Sequence, residues 1–418
     1  MQYKPKIWSW FLVIIIVISV VTAGVRFCIF RGGSSAEPTL RFVSIIHRHG
    51  DRAPEASYPL DPYRADSFWP EGLGALLQSG KIGLHRLGTF LRQRYDGFLA
   101  AKYLPAEIFV FSSFHDRCLM SASLVLAGLY PPLGTQLWNP DLKWQPIPIH
   151  TVPLTHDDII CVSKRCPLLS KEEAKWLATI QLKLVKDQEL LMNISKGTGL
   201  DMSKILNVYY VDDNLKVVEE QGLPLPEWAH TINRDRLRSL SDIGVLKHFA
   251  TPTMIKLKSV RTLFVPRKES GRGSVNIGSS SQNYSCVLIK EILMNMELKA
   301  NARERFERRL HLYSAHDGTI AYLWRGLSVT SEIERSSLSY GAALIIELHE
   351  INGKHQVKIL YKRSHLDDNL MVLKIEGCKD SRGKETGDLC DLDIFSSALQ
   401  HVAIDNFEKA CEIPIEQT

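Results

Sequence analysis

The sequence predicts an α/β fold: a central mixed, largely parallel sheet flanked by helices, interrupted by a smaller, mainly helical cap. Three observations carry this. Strand-length apolar runs alternate with helical periodicity in the first third of the chain, helical patterns dominate from Lys171 to about residue 265, and strand patterns return from Leu310. A chain of 418 residues has room for such an insertion. The net charge of +5 is small and spread over many segments, so no nucleic-acid partner is implied.

The elements follow in order. Leu40–His47 (LRFVSIIH) is an apolar run ending in polar residues, a buried strand feeding a loop. Leu84, Leu87, Phe90, Leu91, Tyr95, Phe98 and Leu99 recur at helical spacing and place a helix over Lys81–Leu99. Glu107–Phe111 is a second strand, and Asp116–Leu129 a helix stopped by Pro131-Pro132. Ser170 and Glu173 form a capping-box pattern that opens a single helix over Lys171–Lys196, closed near Gly197. Gly and Ser enrichment makes residues 267–282 a loop. Leu310–Ser314 and Ala342–His349 are strands, and Asn352-Gly353 turns the latter into Val357–Arg363. The expected division is a leader over 1–36, a sheet part over 39–168, a helical insertion over 169–300 and a second sheet part over 301–418.

Lys4 and Lys6 precede an apolar stretch from Trp8 to Val25. Its length lies between a signal-peptide core and a spanning helix, so both a cleaved signal and an uncleaved membrane anchor fit. Either one sends the chain into the secretory pathway, where the sequons at Asn193 and Asn283 would be glycosylation sites. The eight cysteines include no CxxC pair, and no Cys/His cluster has zinc spacing, so no metal site is expected.

The loop after the first strand reads Arg48-His49-Gly50-Asp51-Arg52-Ala53-Pro54. A phosphate monoester resists attack until its oxygens are neutralised, and two guanidinium groups beside one imidazole supply both charge and nucleophile. Gly50 is expected to let the backbone approach the phosphate oxygens. After the strand at Leu310 comes Ala315-His316-Asp317-Gly318-Thr319, a His-Asp pair entering a helix whose N-terminus favours anions.

The first loop matches RHGxRxP, and the chain resembles the acid-phosphatase branch of the histidine phosphatase superfamily. Asp116-Arg117-Cys118-Leu119-Met120-Ser121-Ala122 resembles that family's DRTLMSA segment, with Cys118 in place of Thr, and residues 69–95 and 137–154 are similar to it throughout. Two departures stand out: Phe111-Ser112-Ser113 replaces RST, and Gly318 replaces Thr or Val. The resemblance implies hydrolysis of phosphate monoesters through a phosphohistidine on His49. Arg48, Arg52, Arg117 and His316 would hold the phosphate, and Asp317 would be the proton donor. It implies disulfides Cys166–Cys411 and Cys378–Cys390, leaving Cys118, Cys161 and Cys286 unassigned. It requires no cofactor. The partner is a small phosphomonoester, with membrane contact only through an uncleaved leader, and a homodimer is left open. Two other readings share the motifs: a phytase or lysophospholipid phosphatase, and a catalytically inactive, membrane-tethered binding protein.

Overall fold

The computed structural model describes residues 36–154, 157, 160, 166–246, 251, 253–254, 288–301, 306–327, 329, 338–379, 387–399 and 411–412. The first part of the chain alternates β1 (Leu40–Arg48), α1 (Gln78–Arg94), β2 (Ile108–Ser112) and α2 (Asp116–Leu129). Five helices follow: α3 (Pro167–Leu184), α4 (Gln188–Thr198), α5 (Ile205–Glu220), α6 (Glu227–His230) and α7 (Arg234–Leu246). Then come α8 (Leu288–Asn301), β3 (Leu310–Ala315), α9 (Asp317–Gly326), β4 (Ala343–Ile351) and β5 (Lys354–Lys362). The short β6 (Met371–Leu373) and β7 (Cys390–Asp391) lead into α10 (Leu392–Ala398).

The strands form one sheet in the order β2-β3-β1-β4-β5-β6, with β7 also on β5. Alternate residues along each strand face opposite sides. Val43 and Ile45 join Leu312 and Ala343 in a cluster with Leu84, Leu87 and Leu91 of α1 and Val125 and Leu129 of α2. Phe42 and Ile46 join Tyr313, Leu344 and Ile346 in a second cluster with residues of α8, α9 and α10. The sheet is thus sandwiched between two helical layers. Each fully buried leucine of α1 contributes about 1.5–3 kcal/mol of apolar burial, which fixes the helix beside the strands.

The mixed sheet and its flanking helices agree with the expectation from sequence; the parallel share is smaller than expected. Among the described strands only β2–β3 and β3–β1 are parallel, whereas β1–β4, β4–β5, β5–β6 and β5–β7 are antiparallel. One of these antiparallel pairs, β4–β5, follows from the Asn352-Gly353 turn. Both residues hold positive φ (52° and 76°), as a tight hairpin requires, so β5 returns directly alongside β4.

The single helix expected over Lys171–Lys196 is two. A 3₁₀ turn at Val185–Asp187 separates α3 from α4. Pro167 opens α3, where its missing N–H is harmless, and Ser170 donates to the Cys166 carbonyl instead of capping. Closure comes at Gly199, whose φ of 75° is the left-handed end that glycine tolerates. Apolar residues of α3–α7 share a separate cluster that includes Ile194, Val208, Val211, Leu215 and Leu237. By contrast α8, expected in the helical insertion, packs Leu288, Ile292 and Met296 into the sheet core. It thus packs with the sheet and not with the cluster that α3–α7 share.

Cys166 and Cys411 are bonded across 245 positions, and Cys378 and Cys390 across 12. Cys118 is buried in α2; Cys161 and Cys286 lie outside the described residues. Asn193 is exposed on α4, while the Asn283 sequon, the loop at 267–282 and the apolar leader lie outside them too. Among the described residues no helix is long and apolar enough to cross a membrane.

Candidate active site

Three neighbouring parallel strands bring the motif residues together, because their carboxyl ends lie side by side. His47 pairs with Ser314, and Ser314 with Ser112, so the chain leaves β1, β3 and β2 at one level. Those exits are Arg48–Arg52, His316–Asp317 and Ser113–Arg117, where anions collect in α/β sheets. The antiparallel β4 contributes its entry: Gly341 N–H donates to the His49 carbonyl at 3.1 Å, and Arg48 N–H to Ala342 at 2.8 Å.

His49 is buried, and its Nδ1 lies 3.0 Å from the Gly50 carbonyl. A carbonyl only accepts, so Nδ1 carries the proton and Nε2 keeps the lone pair. Burial, then Arg48, His316, Arg117 and Arg52, hold the imidazole well below its usual value of 6.5. The ring is thereby held neutral below the usual range of an imidazole. Its centroid lies 5.5 Å from that of His316 and 5.8 Å from that of Tyr340.

The three arginines are not free cations. Arg48 reaches Asp317 Oδ2 at 2.9 Å, donates to the Leu338 carbonyl and stacks 4.1 Å from the Tyr340 ring centroid. Arg52 is 2% exposed and forms a fork with Asp213, 2.9 Å on each arm. Arg117 lies 3.5 Å from Glu55 Oε1, and Glu55 Oε2 is 3.3 Å from Arg52. Yet the Nε atoms of all three are buried with no hydrogen-bond partner among the described residues. Unsatisfied charged donors converging on one imidazole are costly unless an anion completes them.

Asp317 follows His316 at the start of α9, with its side chain 29% exposed. Burial pushes its carboxyl up, but Arg48, His316 and the Gly318 N–H outweigh that and bring it down to about 2. The expected proton donor is therefore a carboxylate in the ligand-free site. His316 is pushed well below 6.5, chiefly by burial and by Arg117 and His115. Its Nε2 lies 3.1 Å from Ser113 Oγ and 3.6 Å from Cys118 Sγ.

Gly50 serves packing more than anion approach. A Cβ there would sit 2.5 Å from Leu84 Cδ2 and 2.7 Å from the Gly80 carbonyl, because the loop rests on the start of α1. At Gly318 a Cβ would meet nothing within 4 Å, so the glycine is not a steric need. All six motif residues are brought together. Asp213, Glu55 and Tyr340 are additional. Asp213 and Tyr340 had no local signal, since each acts across more than 150 positions; Glu55, one residue past the motif, was within reach of an i, i+3 reading.

A buried neutral imidazole among three guanidinium groups, at the carboxyl edge of a mixed sheet, defines a site built to hold a small tetrahedral oxyanion beside a nucleophile. The sequence matches the histidine phosphatase superfamily (branch 2) over residues 39–362, and the chain belongs to that family. It is 35% identical to the lysosomal acid phosphatase of Bos taurus over 344 residues, 81% of this chain and 74% of that one. With the prostatic acid phosphatase of Bos taurus it shares 31% over 386 residues, 91% and 90% of the two chains. Among solved structures, the Hafnia alvei phytase in complex with tartrate shares the fold at a TM-score of 0.60 and 18% identity, covering 90% of this chain and 99% of that one. These relatives and the disulfides fit a protein of the secretory pathway.

Proposed function

We propose that the chain is an acid phosphatase, hydrolysing phosphate monoesters through a phosphohistidine on His49. The observation that carries this is the His49 ring: proton on Nδ1, lone pair on Nε2, and a setting that keeps it neutral in acid. Arg48, Arg52, Arg117 and His316 hold the phosphoryl oxygens. His49 Nε2 attacks phosphorus in line; the N–P bond forms as the P–O bond to the leaving group breaks. Positioning and charge neutralisation supply most of the rate, since the transition state is loose.

The proton follows from Asp317. Its carboxyl is ionised in the ligand-free site, so the proton arrives with the monoanionic ester, whose second ionisation lies near 6. Phosphate draws Arg48 to its own oxygens, releasing Asp317 from its ion pair and raising its carboxyl. Asp317 passes the proton to the departing alkoxide. The carboxylate then takes one from the water that cleaves the N–P bond, and inorganic phosphate leaves.

Phosphate release from phenyl phosphate near pH 5, unchanged by a chelator, is the expected result. Silence across the acidic range would overturn the assignment. Asp213 is a positioning residue that aims Arg52. Asp213→Asn should raise KM and weaken inhibition by inorganic phosphate roughly tenfold, with kcat changed less. Asp213→Glu should recover part of the loss; an unaltered KM in the Asn variant would remove this role.

The acid-phosphatase relatives and the buried disulfides support transit through the secretory pathway. On this reading Trp8–Val25 is a signal or an anchor, and Asn193, exposed on α4, and Asn283 carry glycans.

A further inference from the structure

Two helices of the inserted segment wall the cleft beside the motif residues. Along α5, Tyr209, Asp212, Asp213 and Lys216 recur three and four positions apart and share one face. Arg238, Ser241 and Asp242 do the same on α7, and Arg48, Asp317 and Tyr340 stand among the other residues that line this pocket of about 160 Å³. The pocket therefore lies where the leaving group of a phosphate on His49 must sit.

Its two wall cations are already matched by acids. Lys216 Nζ is 3.8 Å from Glu220, and Arg238 Nε is 3.9 Å from Asp212. Asp213 is held by Arg52. Asp242 has neither an ion pair nor a hydrogen bond among the described residues. Burial, with Asp212 close by, pushes its carboxyl up to about 6, and burial also pushes Asp212 up. Burial is the larger cause of both shifts, and Arg238 and Lys216 offset them only in part. At about pH 7, where Asp242 is ionised, a second phosphate there would meet carboxylates and find no uncommitted cation, whereas a neutral or ammonium-bearing group would not be repelled.

Resting on the phosphatase reading above, we propose that near neutral pH this wall restricts the enzyme to esters bearing one phosphate on an uncharged or cationic leaving group. Asp212 and Asp242 are the residues that turn a second phosphate away.

Propyl phosphate, 3-aminopropyl phosphate and the bisphosphate of propane-1,3-diol have similar size and differ in the charge at the far end. For the wild-type protein at about pH 7, kcat/KM for the bisphosphate should be at least roughly tenfold below that for propyl phosphate, and that for the amine no lower. In Asp242→Asn, and more so with Asp212→Asn added, the ratio between the propyl ester and the bisphosphate should narrow by about tenfold. Equal turnover of propyl ester and bisphosphate by the wild-type protein overturns the proposal, as does an unchanged ratio in a folded Asp242→Asn variant. Calorimetric binding of the same three compounds to His49→Ala reads the preference without turnover. If no ester is hydrolysed yet that binding order holds, the phosphatase reading fails and the subsite stands.

Discussion

His49→Ala is expected to lower kcat by more than about 10⁴-fold, because it removes the atom that accepts the phosphoryl group. Binding should survive. Arg48, Arg52 and Arg117 are placed by Asp317, Asp213 and Glu55 and by backbone carbonyls, none of which involves the imidazole. Inorganic phosphate should therefore still bind to the variant. In the wild-type protein, quenching during turnover of labelled ester should leave label on the peptide that contains His49. Because burial and four cationic or imidazole neighbours hold this ring well below 6.5, it stays unprotonated as the pH falls, and kcat/KM should fall only well below that pH. Residual activity above roughly 1% in a clean His49→Ala preparation, or a drop in wild-type kcat/KM as the pH is lowered from roughly 6.5 to 5.5, would count against a buried nucleophile at this position.

Asp317→Asn carries the second large effect. An amide cannot deliver a proton to an alkoxide, so turnover of alkyl phosphates should drop roughly 10²–10⁴-fold. An aryl leaving group departs as a stabilised anion, so p-nitrophenyl phosphate should lose much less. Equal losses on the two would show that Asp317 acts only by holding Arg48. The pH dependence has a definite sign. With the carboxyl down at about 2, the group contributes stability above its unfolded value near 3.8, and that stability is lost as the pH falls through about 2. In the wild-type protein, kcat/KM on alkyl esters should decline above roughly pH 6, as the ester loses the proton that it brings. In urea titrations, the stability gap between wild type and Asp317→Asn should shrink as the pH falls from 4 toward 2.

The motif loop was legible because its chemistry is local. Arg48, His49 and Arg52 lie within five positions at the end of an apolar run, and a strand end is where such residues meet a ligand. Asp116–Leu129 was legible to the residue, bounded by a proline pair and an apolar face. The break between α3 and α4 was not, because neither Gly nor Pro marks Val185–Asp187. The two-residue β7 is too short for periodicity and sits next to the Cys378–Cys390 bond. The charge state of the site was also hidden. The motif shows three cations, whereas the fold matches each with an acid, two of them, Asp317 and Glu55, visible near the motifs and one, Asp213, supplied by a distant helix.

The strand order β2-β3-β1 has a consequence for biosynthesis. β1 and β2 are made early but cannot pair with each other; the strand that joins them comes about 200 residues after β2. Until then both present bare backbone edges flanked by apolar side chains, a surface that invites sticking between unfinished chains. Escape from that hazard and assembly of the centre begin together with the arrival of β3, which carries His316 and Asp317 at its tip, and the second edge of β1 is covered when β4 follows. A chain that stalls before this point has no activity and a sticky sheet, which makes it a natural client for chaperones.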